Sequence, residues 1–137
     1  MAIAHRNTAQ WQAMDASHHI HPFCDPKTLA ERGVRVITSA DGCYVYDSDN
    51  NKILDGMAGL WCVNVGYGRQ ELVDVATAQM EQLPFYNSFF QSSTPSQIEL
   101  AQKLSEIAPG NLNHFFFANS GSEANDTVIR MARHYWH

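Results

Sequence analysis

The sequence predicts an α/β fold of which only the opening is present, and three observations carry that reading. Short strand-like runs separated by turn residues occupy residues 34–55. Apolar residues then recur at helical spacing in successive segments. Finally, the short apolar run His114-Phe115-Phe116-Phe117-Ala118 passes through a small polar loop directly into a helix. A single buried strand cannot build a parallel sheet. The hydrophobic faces are therefore expected to be matched by further polypeptide or by partner chains.

Taken in order, the first thirty residues read as irregular, because Pro22 and Pro26 interrupt any helix. His18, His19 and His21 fall in this stretch with Asp15 and Asp25 as the acids in reach. That invites a metal site, but a flexible arm of ordinary histidines accounts better for the spacing. Val34-Arg35-Val36-Ile37-Thr38 and Cys43-Tyr44-Val45-Tyr46 have strand composition and flank the turn Asp41-Gly42. A second turn, Asp49-Asn50-Asn51, leads to Lys52-Ile53-Leu54-Asp55. This three-stranded meander is too small to bury its own face. Leu72, Val75, Ala76, Met80 and Leu83 lie on one helical stripe closed by Pro84. Thr94-Pro95-Ser96-Gln97 reads as a capping-box start to a helix with Ile98, Ala101, Leu104 and Ala108 on its apolar side. The run 114–118 suits a strand buried on both faces. Ala124, Val128, Met131, Ala132 and Tyr135 mark the last helix.

Composition narrows the function classes. With 137 residues, 45% hydrophobic and 17% charged, the chain reads as one globular domain's worth. A net charge of −5 gives no basic field for nucleic acid. No apolar run approaches the roughly 18 residues of a membrane span. Met1 to Gln12 carry no apolar segment resembling a secretory signal. Cys24, Cys43 and Cys62 form no Cys-x-x-Cys pair, which points to buried small hydrophobes in a reducing compartment, the cytoplasm.

Two constellations could carry chemistry. At Ser120-Gly121-Ser122 a strand meets a helix start, where backbone N–H groups are unpaired and glycine admits a ligand. The junction suits a phosphate monoester, although Ser122 and Asn125 also fit ordinary helix-start chemistry. Gly66-Tyr67-Gly68 is no dinucleotide fingerprint, and no Gly-Lys-Ser/Thr occurs. The second constellation is aromatic. The segments 56–64, with Trp61, and 84–90, with Phe85, Tyr86, Phe89 and Phe90, suit either a substrate wall or core and interface packing.

Three motifs make a resemblance specific. They are the segments Asp55-Gly56-Met57-Ala58-Gly59-Leu60-Trp61-Cys62-Val63-Asn64-Val65-Gly66-Tyr67-Gly68, Leu83-Pro84-Phe85-Tyr86-Asn87, and Phe117-Ala118-Asn119-Ser120-Gly121-Ser122-Glu123-Ala124-Asn125-Asp126-Thr127. Together they resemble class III aminotransferases, and within them the ω-transaminases that move an amino group from an amine or ω-amino acid to pyruvate. The likeness runs from about Trp11 to Trp136. It implies the amino-terminal part of a fold type I pyridoxal-phosphate transferase, incomplete. Residues 1–67 would contribute to the small domain and 68–137 would begin the large cofactor domain. It further implies cofactor contacts from Ser120, Gly121 and Ser122, a substrate wall of Phe23, Leu60 and Trp61, and Phe89 reaching the neighbouring subunit's site in a homodimer. Glu123 would support the loop and do no chemistry.

The same resemblance leaves the chemistry unfinished. Transamination needs a lysine amine to hold the cofactor as a Schiff base and shuttle a proton. Lys27, read in the proline-containing arm, Lys52, read in a hairpin turn, and Lys103, on a polar helix side, match no family lysine position. Arg130 and Arg133 do not match the family's carboxylate-binding arginine. The 137 residues are therefore expected to be inactive alone. The alternatives are a non-catalytic truncated product, or another fold type I enzyme such as an aminomutase or decarboxylase.

Overall fold

The computed structural model describes residues 6–137. They fall into two compact units, Met1–Gln82 and Leu83–His137.

The first unit opens with two helices where the sequence reading expected an irregular arm. Helix α1 spans Thr8–His18 because Asn7 and Gln10 close a reciprocal capping box, each side chain taking the other's backbone N–H. Helix α2 spans Pro26–Arg32, and Pro26 starts this helix. Asp25 accepts from the Lys27 and Thr28 N–H groups, and proline fits the first turn, where its missing donor is not needed. Gly33 follows with φ 71° and ends the helix.

The meander is as the turn residues predict. Strands β1 (Ile37–Asp41), β2 (Tyr44–Asp47) and β3 (Lys52–Leu54) form an antiparallel sheet in the order β1-β2-β3. Strand β1 begins three residues later than the composition suggested. Register slips between Ile37 and Ser39, and the hydroxyl of the intervening Thr38 donates to the carbonyls of Tyr46 and Asp47. Asp47, the one buried residue named among those described, organises the β2–β3 turn. Its carboxylate accepts from the Asp49 and Asn51 N–H groups and from the Asn51 side-chain amide, which holds its pKa below the usual carboxylate range. Helix α1 is tied to this turn by the Thr8 hydroxyl on Ser48 and Asp49, and to Val34 by the Gln12 amide at 2.9 Å.

After β3 the chain makes one helical turn, Ala58–Trp61 (α3), and then reaches helix α4, Gln70–Gln82. Between them Gly66-Tyr67 folds back on the meander. Gly42 and Tyr67 exchange both backbone hydrogen bonds, at 3.2 and 2.7 Å. Gly66 has φ 86°, and a Cβ there would lie 3.0 Å from the Gly42 carbonyl oxygen. The glycines of this segment serve a backbone clasp.

The second unit holds helices α5 (Pro95–Ile107) and α6 (Gly121–Tyr135). Pro95 sits at the first turn of α5 as expected, but the Thr94 side chain makes no cap. Its hydroxyl lies 3.3 Å from that of Ser96, so the expected capping box is not formed. Residues 114–118 are not a strand, and Phe116 and Phe117 are exposed. A strand exists only where a neighbour takes its backbone groups, and no such neighbour lies among the described residues. No hydrophobic side chain is fully buried among them either. The three cysteines are free and exposed, which corrects their reading as buried packing residues. No described helix is long and apolar enough to cross a membrane.

Candidate cofactor and substrate site

At the start of α6, Ser120 is the N-cap. Its hydroxyl oxygen accepts the Glu123 N–H at 3.2 Å, while the Glu123 carboxylate reaches back to accept the Asn119 N–H at 2.9 Å. This reciprocal pair resembles a capping box displaced by one residue and stiffens the loop that enters the helix. Among the described residues no protein group accepts from the Gly121 or Ser122 N–H, and the Ser122 hydroxyl has no partner. A Cβ at Gly121 would meet nothing within 4 Å. Unengaged donors, an open approach and the positive end of a fifteen-residue helix make a fitting seat for a phosphate group.

Leu60 and Trp61 lie on the Ala58–Trp61 turn of the first unit, and this turn is left-handed. Ala58, Gly59, Leu60 and Trp61 have φ of 49°, 59°, 62° and 68°. For residues with a Cβ that conformation costs roughly 1–2 kcal/mol each, so it persists only where its surroundings impose it. Asp55 supplies much of the imposition. Its Oδ2 accepts from the Gly59 N–H and from the Tyr67 hydroxyl, both at 2.7 Å, and its Oδ1 from the Met57 N–H at 3.1 Å. The Tyr67 hydroxyl foremost, then the Gly59 N–H, lower the Asp55 pKa, and the same bond raises that of Tyr67. Trp61, on this turn, is 80% exposed.

The remaining expected wall residues are also solvent-facing. Phe23 is fully exposed at φ 53° in the loop between α1 and α2. In the second unit the Asn87 side chain accepts the Phe89 N–H at 2.9 Å, and Phe90 and Gln91 follow with positive φ. Phe89 borders a groove with Phe115, Phe116 and Phe117, and residues 120–122 are not part of that groove's lining. Leu60 and Trp61 thus share one turn. Phe89 and the Ser120–Ser122 loop belong to the other compact unit. None of the left-handed backbone was foreseen from sequence, although Asp55 four residues before Gly59 is the local signal that could have suggested it.

The histidines are not on a flexible arm. Asp15 and His19 lie one turn apart at the end of α1, and the Asp15 carboxylate meets His19 Nδ1 at 3.0 Å and His21 Nε2 at 2.7 Å. His21 first and then His19 lower the Asp15 pKa. Three ligand-type atoms converge within 4.8 Å. Ligand atoms around a tetrahedral zinc, bonded at about 2.0–2.1 Å, stand roughly 3.3 Å apart. The two carboxylate–imidazole distances, 3.0 and 2.7 Å, are shorter than that and are those of hydrogen bonds. The lysines lie on surfaces. Lys52, the first residue of β3, lies over the Tyr44 ring at 4.0 Å, Lys103 pairs with Glu106, and Lys27 is an exposed residue of α2.

Known proteins resemble this chain over most of its length. The model of the aminotransferase class-III family matches residues 28–137. A putrescine–pyruvate aminotransferase of Pseudomonas aeruginosa is 60% identical over 134 residues, covering 98% of this chain and 29% of the relative. The crystal structure of an (S)-enantioselective ω-transaminase from Thermomicrobium roseum superposes with a TM-score of 0.91 at 42% identity, covering 98% of this chain and 30% of that one. A thermostable ω-transaminase variant with a tryptophan replaced by glycine, engineered for asymmetric synthesis of enantiopure bulky amines, matches at a TM-score of 0.83 and 40% identity, covering 88% of this chain and 27% of that one. The chain therefore spans under a third of the length of these relatives. The family model over residues 28–137, the 60% identical relative and the superposed ω-transaminase together place this chain in the pyridoxal-phosphate-dependent class III aminotransferases, as part of a fold type I transferase.

Proposed function

We propose that the complete polypeptide carrying this sequence moves an amino group from a small amine or ω-amino acid to pyruvate, as a homodimer in the cytoplasm. The observation that carries the reading is the 60% identity to a putrescine–pyruvate aminotransferase over nearly the whole chain. The free, exposed cysteines accord with a reducing compartment.

Residues 1–67 would belong to the small domain and 68–137 to the start of the large one. Ser120, Gly121 and Ser122 would hold the cofactor phosphate through two backbone N–H groups and hydroxyls, fixing its position without reacting. Pyridoxal phosphate, when bound, supplies the electron sink for the transfer. Phe23, Leu60 and Trp61 would wall the substrate site and exclude water, with Phe89 serving the neighbouring subunit. Of the three tryptophans, Trp61 alone sits on a strained, glycine-flanked turn, and a tryptophan is what the bulky-amine variant gave up. The amine that holds the cofactor and moves the proton would come from a lysine outside these 137 residues.

Two measurements test this. The complete enzyme, given putrescine and pyruvate, should form alanine. A preparation with intact cofactor that makes none removes the transaminase reading. The 137-residue chain with pyridoxal phosphate and borohydride should yield no specific lysine adduct, and a stoichiometric adduct would overturn the outside lysine.

A further inference from the structure

The left-handed Ala58–Trp61 turn is gripped by a carboxylate that the proposed chemistry does not use. Asp55 takes three donors at once, the Gly59 N–H, the Tyr67 hydroxyl and the Met57 N–H. Backbone bonds from Trp61 to Met57 and from Cys62 and Val63 to Ala58 close the turn around it. Tyr67 is a fixed post, since its own N–H and carbonyl are paired with Gly42 across the clasp. Gly59 leaves room for that post. A Cβ there would come within 3.0 Å of both the Tyr67 hydroxyl and the Val63 side chain. Hydrogen bonding thus runs without a break from the β1–β2 turn through Tyr67 and Asp55 to the backbone that carries Leu60 and Trp61.

We propose that Asp55 is a positioning residue for amine recognition. By holding Gly59 and Tyr67 it fixes the left-handed turn that presents Leu60 and Trp61, and so sets which amines the site accepts. The proposal rests on the reading that Leu60 and Trp61 wall the substrate site, and it adds the group that fixes the wall. An ionised carboxylate is acceptor-only on both oxygens and can satisfy three donors. An asparagine would turn an N–H toward one of them. Relaxation of the strained turn would then move the indole, and an ångström of misplacement at a specificity wall is felt in binding.

The test uses the complete holoenzyme with pyruvate as acceptor and two amine donors, putrescine and a bulky arylalkylamine. Wild type, Asp55→Asn, Tyr67→Phe, Trp61→Ala and the Asp55→Asn/Trp61→Ala double variant are compared by kcat, KM and cofactor content. Loss of one charge-assisted hydrogen bond should raise the KM for putrescine by roughly tenfold in Asp55→Asn, with a smaller change in kcat and full cofactor content. The kcat/KM ratio between bulky and small donors should shift toward that of Trp61→Ala. Tyr67→Phe should shift it the same way by about threefold. In the Trp61→Ala background, Asp55→Asn should leave the ratio unaltered. A donor ratio that stays at the wild-type value in Asp55→Asn overturns the proposal. So does an Asp55 effect that persists undiminished without Trp61, because a merely structural residue would behave that way. Where Asp55→Asn gives no soluble holoenzyme, Tyr67→Phe decides by the same ratio, since it removes one donor and leaves the carboxylate its two backbone partners. Wild type that transaminates neither donor sinks the functional reading itself, and this inference with it.

Discussion

The two compact units differ in what holds them. In the first, hydrogen bonds join groups far apart in sequence. Thr8 reaches Ser48, Gln12 reaches Val34, Tyr67 reaches Asp55, and Gly42 pairs with Tyr67. Carboxylates at Asp15, Asp25, Asp47 and Asp55 each collect several donors. In the second, the described side-chain hydrogen bonds join residues at most four positions apart, as at Lys103–Glu106 and Asn119–Glu123. Its apolar residues, Phe89, Phe116, Val128 and Met131 among them, remain open. One unit is braced by polar long-range contacts, whereas the other holds two helices, of which only α6 has a side-chain N-cap, with apolar residues exposed. A polar scaffold specifies geometry without a dry core, but amphipathic helices gain most of their stability only from packing.

Four perturbations would break or sharpen this contrast. The largest effect is expected from Asp47→Ala, which removes an acceptor of four hydrogen bonds at the one buried residue among those described. Hydrogen exchange should accelerate throughout β1–β3 while α6 keeps its own rates. Equal acceleration in both units would show that they are not separately held. Next, Gly59→Ala forces a Cβ into a left-handed residue 3.0 Å from Tyr67 and Val63, and should destabilise the first unit by roughly 1–2 kcal/mol in denaturant titration. A change within error would mean the turn is far softer than its dihedral angles imply.

Acid should act third and unevenly. The carboxylates of Asp15, Asp25, Asp47 and Asp55 have folded pKa values depressed below the unfolded value near 3.8. Their contribution is fully present above that value and is lost as pH falls through the lower folded values. Near-ultraviolet circular dichroism from Tyr44, Tyr46 and Tyr67 should fade below about pH 4, with the helical signal of α5 and α6 retained longer. Simultaneous loss would contradict the unequal dependence. The smallest effect is Ser120→Ala, which removes the α6 N-cap and should cost about 1 kcal/mol of local helix stability, read by exchange at residues 121–125.

Much of this was legible from residues alone, for identifiable reasons. Turn chemistry at Asp41-Gly42 and Asp49-Asn50-Asn51 fixes a meander locally, and it formed as read. Helices α4 and α5 follow from apolar spacing, and the start of α6 from the Ser120-Gly121-Ser122 junction, although its cap is Ser120 and not the Ser122 that the sequence suggests. Helices α1 and α2 depart from the expected irregular arm because Asp25-Pro26 is a start signal and not an interruption, as is Asn7 with Gln10 three residues on. The expected strand at 114–118 failed for the opposite reason, because its identity depends on neighbours. Of the candidate site, the motif positions were readable, but the left-handed turn was not. Nothing in the propensities of Leu60 or Trp61 asks for positive φ, and only the three-dimensional closure of Asp55 on Gly59 and Tyr67 imposes it.

The clasp between Gly42 and Tyr67 has a consequence for how such a protein can diversify. It pins both ends of a chain segment, and the Tyr67–Asp55 bond pins it again twelve residues in. Adding or deleting a residue between Asp55 and Tyr67 would pull the hydroxyl off the carboxylate or break the ladder pair, whereas an extra residue at the exposed Asn50 tip would strain neither. Under the proposed function, new substrate preferences would be reached by exchanging side chains at 60 and 61 on a loop of constant length.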